Sequence, residues 1–183
     1  MRILFVDDDP ILREFAVLNL TTETTRVDVA PDGGAAIAAI QGEAPDILLL
    51  DLDMPEGDSL EALARLRAEP RWRSLPVVVV TGREDVEAVE RAFAAGATSF
   101  VVKPLNWRLL GQHLRYVRRA AAHEQALAEG HAAAAGQLTR LAAEGAQFIS
   151  AALARAPELR GAAVPFARAA DAALKREAKP KAA

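Results

Sequence analysis

The segment Asp46-Ile47-Leu48-Leu49-Leu50-Asp51-Leu52-Asp53 decides the fold of this chain, because an uninterrupted apolar run ends in two closely spaced carboxylates. A short run of this kind predicts a strand that is covered on both faces, as the strands of parallel sheets are. Similar runs recur along the first 120 residues and alternate with segments of helical period, which predicts repeated βα units. We therefore predict an α/β fold with a doubly wound, five-stranded parallel sheet, its strands at 3–6, 26–30, 46–50, 76–80 and 99–102.

Capping residues indicate where the helices begin and end. Asp9 places a side-chain acceptor before Pro10, which suits the first position of a helix, and Asp32 precedes an Ala/Ile-rich stretch. Gly96 is expected to take the left-handed conformation that ends the fourth helix. The remaining helices are predicted near 59–68, at 84–95 and from 105 onward.

Composition limits what this chain can be. Its 183 residues, 51% of them hydrophobic, can bury one main core, and the absence of cysteine fits a reducing compartment. The apolar run before Asp7 is too short for a signal peptide or a membrane span. A net charge of −3 gives little reason to expect nucleic acid as a partner. We expect a cytoplasmic protein.

The composition changes after residue 120. Of the 63 residues from 121 to 183, 25 are alanine, and no strand-like run appears. We predict a first domain at 1–122, an all-α, Ala-rich extension for dimerisation or partner docking at 123–178, and a disordered tail at 179–183. Helix breaks are expected at Gly130, Pro157 and Pro165.

Polar residues follow four of the five predicted strands. In an open parallel sheet, ligands bind at the carboxyl ends of the strands, so these side chains should meet at one rim. Clustered carboxylates repel each other unless a cation joins them, and hard oxygen ligands suit Mg²⁺. One carboxylate could then act as a nucleophile towards phosphorus. The rim comprises Asp7, Asp8 and Asp9, Asp51 and Asp53, Thr81 and Gly82, and Lys103.

Four motifs at this rim resemble the response-regulator receiver family of two-component signalling systems. They are Val6-Asp7-Asp8, the Asp51-x-x-Met54-Pro55 segment, Thr81-Gly82 and Phe100-Val101-Val102-Lys103-Pro104. Together they cover about two-thirds of the chain, in the order that the family shows. The resemblance implies a flavodoxin-like sheet of strand order 2-1-3-4-5, followed here by a helical extension.

The resemblance also implies a role for each residue. Asp51 would accept a phosphoryl group from a histidine kinase or a histidine phosphotransfer protein, and Lys103 would pair with that group. Asp7, Asp8 and Asp51, with the Asp53 main-chain carbonyl, would hold Mg²⁺. Thr81 and Phe100 would form the switch, which alters the face made by the fourth helix, the fifth strand and the fifth helix. The only chemistry implied is self-phosphorylation and self-dephosphorylation, not turnover as an enzyme.

One segment departs from the family pattern. The loop after the acceptor usually contains an Asp-Gly pair, whereas here it reads Met54-Pro55-Glu56-Gly57-Asp58-Ser59. Gly57 would supply the backbone freedom, and Ser59 replaces the usual residue without removing a catalytic group.

Two alternatives remain open. Haloacid-dehalogenase-type phosphatases also combine an Asp-x-Asp motif, Mg²⁺, a Thr and a Lys, but in that class the motif closes the first strand. For the output, the steps of four, three and four from Leu110 through Leu114 and Val117 to Ala121 predict a homodimeric coil that continues the switch face. A small helix-turn-helix DNA-binding tail is the second possibility.

Overall fold

The computed structural model describes residues 1–54, 58–82 and 86–155. The chain separates into two compact units, Met1–Gln125 and Ala126–Ala183. The predicted domain limits at 122 and 178 remain a prediction, because much of the extension, including Pro157, Pro165 and the tail at 179–183, lies outside the described residues.

The first unit is built on a five-stranded parallel sheet of order β2-β1-β3-β4-β5, which confirms the predicted fold class and strand order. The three central strands are almost entirely buried, since helices cover both faces of the sheet. The strands are β1 (Arg2–Val6), β2 (Arg26–Ala30), β3 (Ile47–Asp51), β4 (Val77–Thr81) and β5 (Ser99–Val102).

The helices begin where their caps predict. The Asp9 carboxylate accepts a hydrogen bond from the Ile11 amide and the Asp32 carboxylate accepts one from the Ala35 amide, which confirms both N-caps. Gly96 has a φ of 100°, in the left-handed region, as expected after the fourth helix. The helices are α1 (Pro10–Leu20), α2 (Gly33–Gly42), α3 (Asp58–Ala68), α4 (Val86–Ala94) and α5 (Trp107–Arg155), with a 3₁₀ turn at Pro70–Trp72.

Two apolar cores lie on opposite faces of the sheet, because successive residues of a strand point to opposite sides. Leu48 and Leu50 pack in the core that α2 and α3 cover. Leu49 packs in the other core, together with Leu114 of α5 and with residues of α1. The first turns of α5 are therefore part of the sheet domain.

Two sequence-based expectations for α5 are wrong. Leu110, Leu114 and Val117 do not form a dimer seam, since all three are buried in the core beneath the sheet. Helix α5 also runs through Gly130 without a break. A glycine inside a helix costs about 1 kcal/mol relative to alanine, which the alanine-rich flanks can absorb. No described helix combines the length and the apolarity that a bilayer crossing requires.

Replacing Leu114 by alanine should lower the free energy of unfolding by about 2–5 kcal/mol, because it leaves a cavity in the core beneath the sheet. The matched control is Leu109→Ala on the same helix, where the leucine is 65% exposed; it should change stability by less than about 0.5 kcal/mol. Urea unfolding followed by circular dichroism measures both. Equal losses would contradict the packing of α5 as described.

Candidate functional site

Three carboxylates meet at the carboxyl ends of β1 and β3. One carboxylate oxygen each from Asp7, Asp8 and Asp51 lies within 4.8 Å of the others. The register of the two strands, which pairs Val6 with Leu50, brings the residues that follow into one place. Asp7 and Asp51 are buried, at 0% and 1% exposure, whereas Asp8 is exposed to solvent. The cluster therefore meets solvent at Asp8.

Lys103 reaches this cluster from the end of β5, with strand β4 lying between. Its Nζ is 3.0 Å from Asp51 Oδ2 and 3.1 Å from Asp7 Oδ2. The Lys103 amide donates a hydrogen bond of 2.8 Å to the Thr81 carbonyl, which fixes the lysine backbone to the end of β4. The Lys103–Pro104 peptide bond is cis. Lys103 thus bridges the two buried carboxylates.

Burial and charge act against each other on the protonation of these groups. Burial raises the pKa of Asp51 above its ordinary value, and the Asp7 charge adds to the increase, although Lys103 opposes it by hydrogen bonding and by its charge. Burial by itself would lower the pKa of Lys103, but its hydrogen bonds to Asp51 and Asp7 and their charges raise it overall. Lys103 is therefore a firmly protonated cation.

Thr81 and Phe100 occupy different environments. Thr81 ends β4 and is fully buried, at the same edge of the sheet as Asp51. Phe100 lies on β5 and is 42% exposed. Its ring packs edge-on against Phe93 of α4, with centroids 6.1 Å apart and an interplanar angle of 86°. The structure brings Thr81 to the rim, whereas Phe100 faces outward towards α4.

Asp53 and Ser59 hold the chain that follows Asp51. The exposed Asp53 carboxylate accepts a hydrogen bond from the Gly82 amide, and the Asp53 amide donates one of 3.3 Å to Asp51 Oδ1. Ser59, which departs from the family pattern, is buried and donates its hydroxyl to the Asp51 carbonyl. Ser59 thus supports the Asp51 backbone. Residues 55–57, including Gly57, lie outside the described part of the chain.

Arg13 makes a contact at the site that sequence reasoning did not predict. Its Nη1 donates a hydrogen bond of 2.6 Å to the Asp7 carbonyl and so braces the turn between β1 and α1. Asp9 reinforces the same turn, because its amide donates a 2.9 Å bond to Asp7 Oδ1. The available signal was the position of Arg13 one turn into a helix that begins at the acidic rim, and that pattern is too common to be diagnostic.

The donor set suits a hard cation. Three carboxylates and one ammonium group leave an excess of two negative charges at the cluster, and all the candidate ligand atoms are oxygens. Oxygen-rich sites with a net negative charge bind divalent ions such as Mg²⁺ or Ca²⁺. Asp8, exposed beside two buried carboxylates, leaves a route for a hydrated ion to enter.

Replacing Asp51 by asparagine should stabilise the metal-free protein at neutral pH. The raised pKa means that the folded chain binds more protons than the unfolded chain between pH 3.8 and the folded pKa, so stability falls as pH rises through that window. The asparagine amide is uncharged, so its burial does not carry the free-energy cost of a buried carboxylate. In EDTA at pH 7.5, urea unfolding should therefore give a larger free energy of unfolding for Asp51→Asn than for the wild type. This difference should shrink near pH 4.

The control for that comparison is Asp32→Asn, which keeps the cap of α2 and should have similar stability to the wild type at both pH values. A less stable Asp51→Asn variant at pH 7.5 would show that the Lys103 contact outweighs the burial of the charge.

Two curated proteins show what the chain is similar to. It is 34% identical over 117 residues to the probable transcriptional regulatory protein TcrX of Mycobacterium tuberculosis, which covers 64% of this chain and 49% of that protein. It is also 34% identical over 123 residues to the transcriptional regulatory protein TrcR of the same organism; this match covers 67% of this chain and 47% of that protein. The chain thus spans about half the length of these curated relatives.

Solved structures give the same fold. A CheY-like response regulator receiver domain protein from Methanospirillum hungatei matches with a TM-score of 0.62 and 27% identity, covering 67% of this chain and 97% of that one. The chemotaxis protein CheY4 of Vibrio cholerae matches with a TM-score of 0.60 and 28% identity, covering 63% and 97%. Both structures are covered almost completely.

The family profile described as the response regulator receiver domain matches residues 3–115. This range holds β1 from Ile3 onward, the other four strands and every residue of the rim, and the Asp7, Asp8 and Asp51 cluster is consistent with the metal site of receiver domains. The chain therefore belongs to the response regulator receiver domain family, whose members are phosphoacceptor signalling modules rather than enzymes.

Proposed function

We propose that this chain receives a phosphoryl group on Asp51, in a reaction that depends on Mg²⁺, from a histidine kinase or a histidine phosphotransfer protein. Membership of the receiver family implies a cognate kinase. The observation that supports this acceptor most directly is the Lys103 bridge, because it places a protonated ammonium group 3.0 Å from one oxygen of a buried carboxylate. A chain without cysteine fits a reducing compartment, so we place the exchange in the cytoplasm.

The chemistry follows from the position of Asp51. A carboxylate oxygen forms a bond to phosphorus while the bond from phosphorus to the donor imidazole nitrogen breaks, which gives an acyl phosphate and a free imidazole. Negative charge on the transferring oxygens needs preorganised positive partners. Lys103 supplies an ammonium group there, and the Thr81 hydroxyl, at the end of the adjacent strand, is the second proposed partner.

The proposed ligands of Mg²⁺ are the carboxylates of Asp7, Asp8 and Asp51 and the main-chain carbonyl of Asp53. A bound divalent ion would offset the two excess negative charges and draw the phosphoryl oxygens towards Asp51. Asp7 is held on both sides for this task. Its carbonyl accepts from Arg13, and its carboxylate accepts from the Asp9 amide and from Lys103.

The proposed switch joins Thr81 to Phe100. The Thr81 backbone pairs with Val102 and accepts from the Lys103 amide, so a movement of Thr81 towards a phosphoryl group acts on β5 directly. Phe100 has room to change its packing, since it is half exposed and contacts Phe93 only edge-on. Repacking of these rings would alter the face formed by α4, β5 and α5.

The surface of α1 suits the approach of the phosphodonor. Ile11, Phe15 and Leu18 are exposed and lie four and three residues apart, on one side of a helix that begins beside Asp7. A donor histidine must come within bonding distance of Asp51, so its protein has to cover the surface next to the acidic cluster. We propose that the donor packs on this side of α1.

For residues 123–178 we propose a homodimerisation extension, which contributes to the output together with the face formed by α4, β5 and α5. The helix-turn-helix alternative gains no support up to Arg155, because such a motif needs two helices and these residues form one. The transcriptional role named for TcrX and TrcR is not extended to this chain, since the match covers less than half of either protein.

Magnesium should raise the thermal unfolding midpoint of the wild type, because an ion that binds only the folded state stabilises it. Asp8→Asn should lose most of that gain, since it removes the exposed carboxylate of the cluster. The control is Asp9→Asn, which keeps the cap of α1 and leaves the cluster intact. Thermal unfolding of the three proteins with and without MgCl₂ measures these differences. A concentration of roughly 10 mM is in excess for a site of millimolar affinity. Equal gains in all three proteins would argue against this site.

Acetyl phosphate with Mg²⁺ should label the wild type with one phosphoryl group per chain, as intact-protein mass spectrometry would record. Asp51→Asn should not be labelled, because it lacks the nucleophilic oxygen, and Asp9→Asn should be labelled like the wild type. Sustained phosphate release from varied monoesters would instead favour the phosphatase alternative. Labelling that persists in Asp51→Asn would place the acceptor elsewhere.

A further inference from the structure

Beyond Gln125, helix α5 presents large apolar side chains that the described residues leave uncovered. Leu127, Leu138 and Leu141 are 52%, 55% and 56% exposed. Almost every other residue between Ala126 and Gln147 is exposed as well. Because apolar side chains gain free energy when they leave water, the arrangement of these leucines on the helix is informative.

The three leucines lie on one side of the helix. With 3.6 residues per turn, spacings of eleven and three residues keep Leu127, Leu138 and Leu141 within an arc of about 60°. Ala134 and Gly145 fall within the same arc. Glu129 and Arg140 lie on the opposite side, and His131 borders the arc. We call Leu127, Ala134, Leu138, Leu141 and Gly145 the leucine stripe.

Charge allows two copies of this stripe to meet. Residues 126–155 contain two acidic residues, Glu129 and Glu144, and two basic ones, Arg140 and Arg155, so their net charge is zero. Two such helices do not repel each other, and the stripe itself carries no charged side chain. A self-complementary patch of this kind is what a two-fold symmetric contact between identical chains requires.

The length of the helix is sufficient for a weak dimer. With Ala134 at the centre of an antiparallel contact, residues 126–142 of the two copies overlap; these 17 residues extend for about 25 Å, and a contact band about 10 Å wide covers roughly 250 Å² on each copy. The total of about 500 Å² is below the ~1,000 Å² of a stable interface, so the contact belongs to the weak class. Six leucines from two copies supply the apolar contact. A concentration-dependent dimer is the expected outcome.

We propose that the leucine stripe binds the same stripe of a second copy of this chain, with the two helices antiparallel and Ala134 at the two-fold axis. This arrangement sets Leu127 opposite Leu141 of the second copy and Leu138 opposite Gly130, where open space surrounds the glycine Cα. Antiparallel helices also align their dipoles favourably. The inference rests on the dimeric extension proposed above, and does not depend on phosphorylation of Asp51.

Light scattering of the full chain without any phosphodonor tests the contact. The wild type and Asp51→Asn should both form a dimer that dissociates on dilution. Leu138→Glu should be monomeric throughout, because it buries a charge in the contact. Ala143→Glu, on the opposite side of the helix, should dimerise like the wild type. A monomeric wild type at high concentration, or a dimer that survives Leu138→Glu, would overturn the proposal.

Cysteine cross-linking tests the orientation, since the chain has no cysteine of its own. Under mild oxidation, Ala134→Cys should form a disulfide-linked dimer, whereas Ala143→Cys should not. Leu127→Cys should also fail to cross-link, because its partner position is Leu141. Efficient cross-linking through Leu127→Cys would show a parallel pair and overturn the antiparallel arrangement. Loss of phosphoryl labelling would leave all of these results unchanged, so the two proposals can fail separately.

Discussion

The contact of Lys103 with Asp51 and Asp7 is the interaction on which the rest of the site depends. Two buried carboxylates next to each other would be costly without a cation, because their negative charges repel each other in a poorly solvated place. Lys103 supplies that cation at 3.0 and 3.1 Å. It follows a strand that is not adjacent to β1 or β3, so the order of the sheet is a precondition for the chemistry.

Asp51 is held by the sheet more firmly than a loop residue would be. Asp51 and Thr81 are the last residues of their strands, one position later than the sequence predicts. The ladder between β3 and β4 continues to the pair Asp51 and Val80, and the ladder between β4 and β5 continues to the pair Thr81 and Val102. Ser59 holds the Asp51 carbonyl, and Asp53 joins the chain after β3 to Gly82. Main-chain contacts thereby connect Asp51 with β4 and β5.

Helix α5 serves two purposes along its length. Its first turns complete the core, with Leu110, Leu114 and Val117 against the sheet. Past Gln125, Leu127, Leu138 and Leu141 of the same helix are exposed. The apolar pattern near the start of α5 is explained by packing within the chain. It therefore does not predict what the later turns of the helix bind.

The sequence by itself determined the fold class, the caps at Asp9 and Asp32 and the identity of the rim residues, because buried parallel strands and helix caps have strong local signals. The strand order followed from the family resemblance and not from any local signal. Only the tertiary structure decided which groups touch. The Lys103 bridge, the Arg13 brace and the role of Ser59 join residues that are not neighbours in the chain, and no local pattern encodes such distances. Likewise, Leu114 and Leu138 both lie in apolar helical patterns of the sequence. Only the structure shows that Leu114 is buried in a core of the sheet domain whereas Leu138 is exposed.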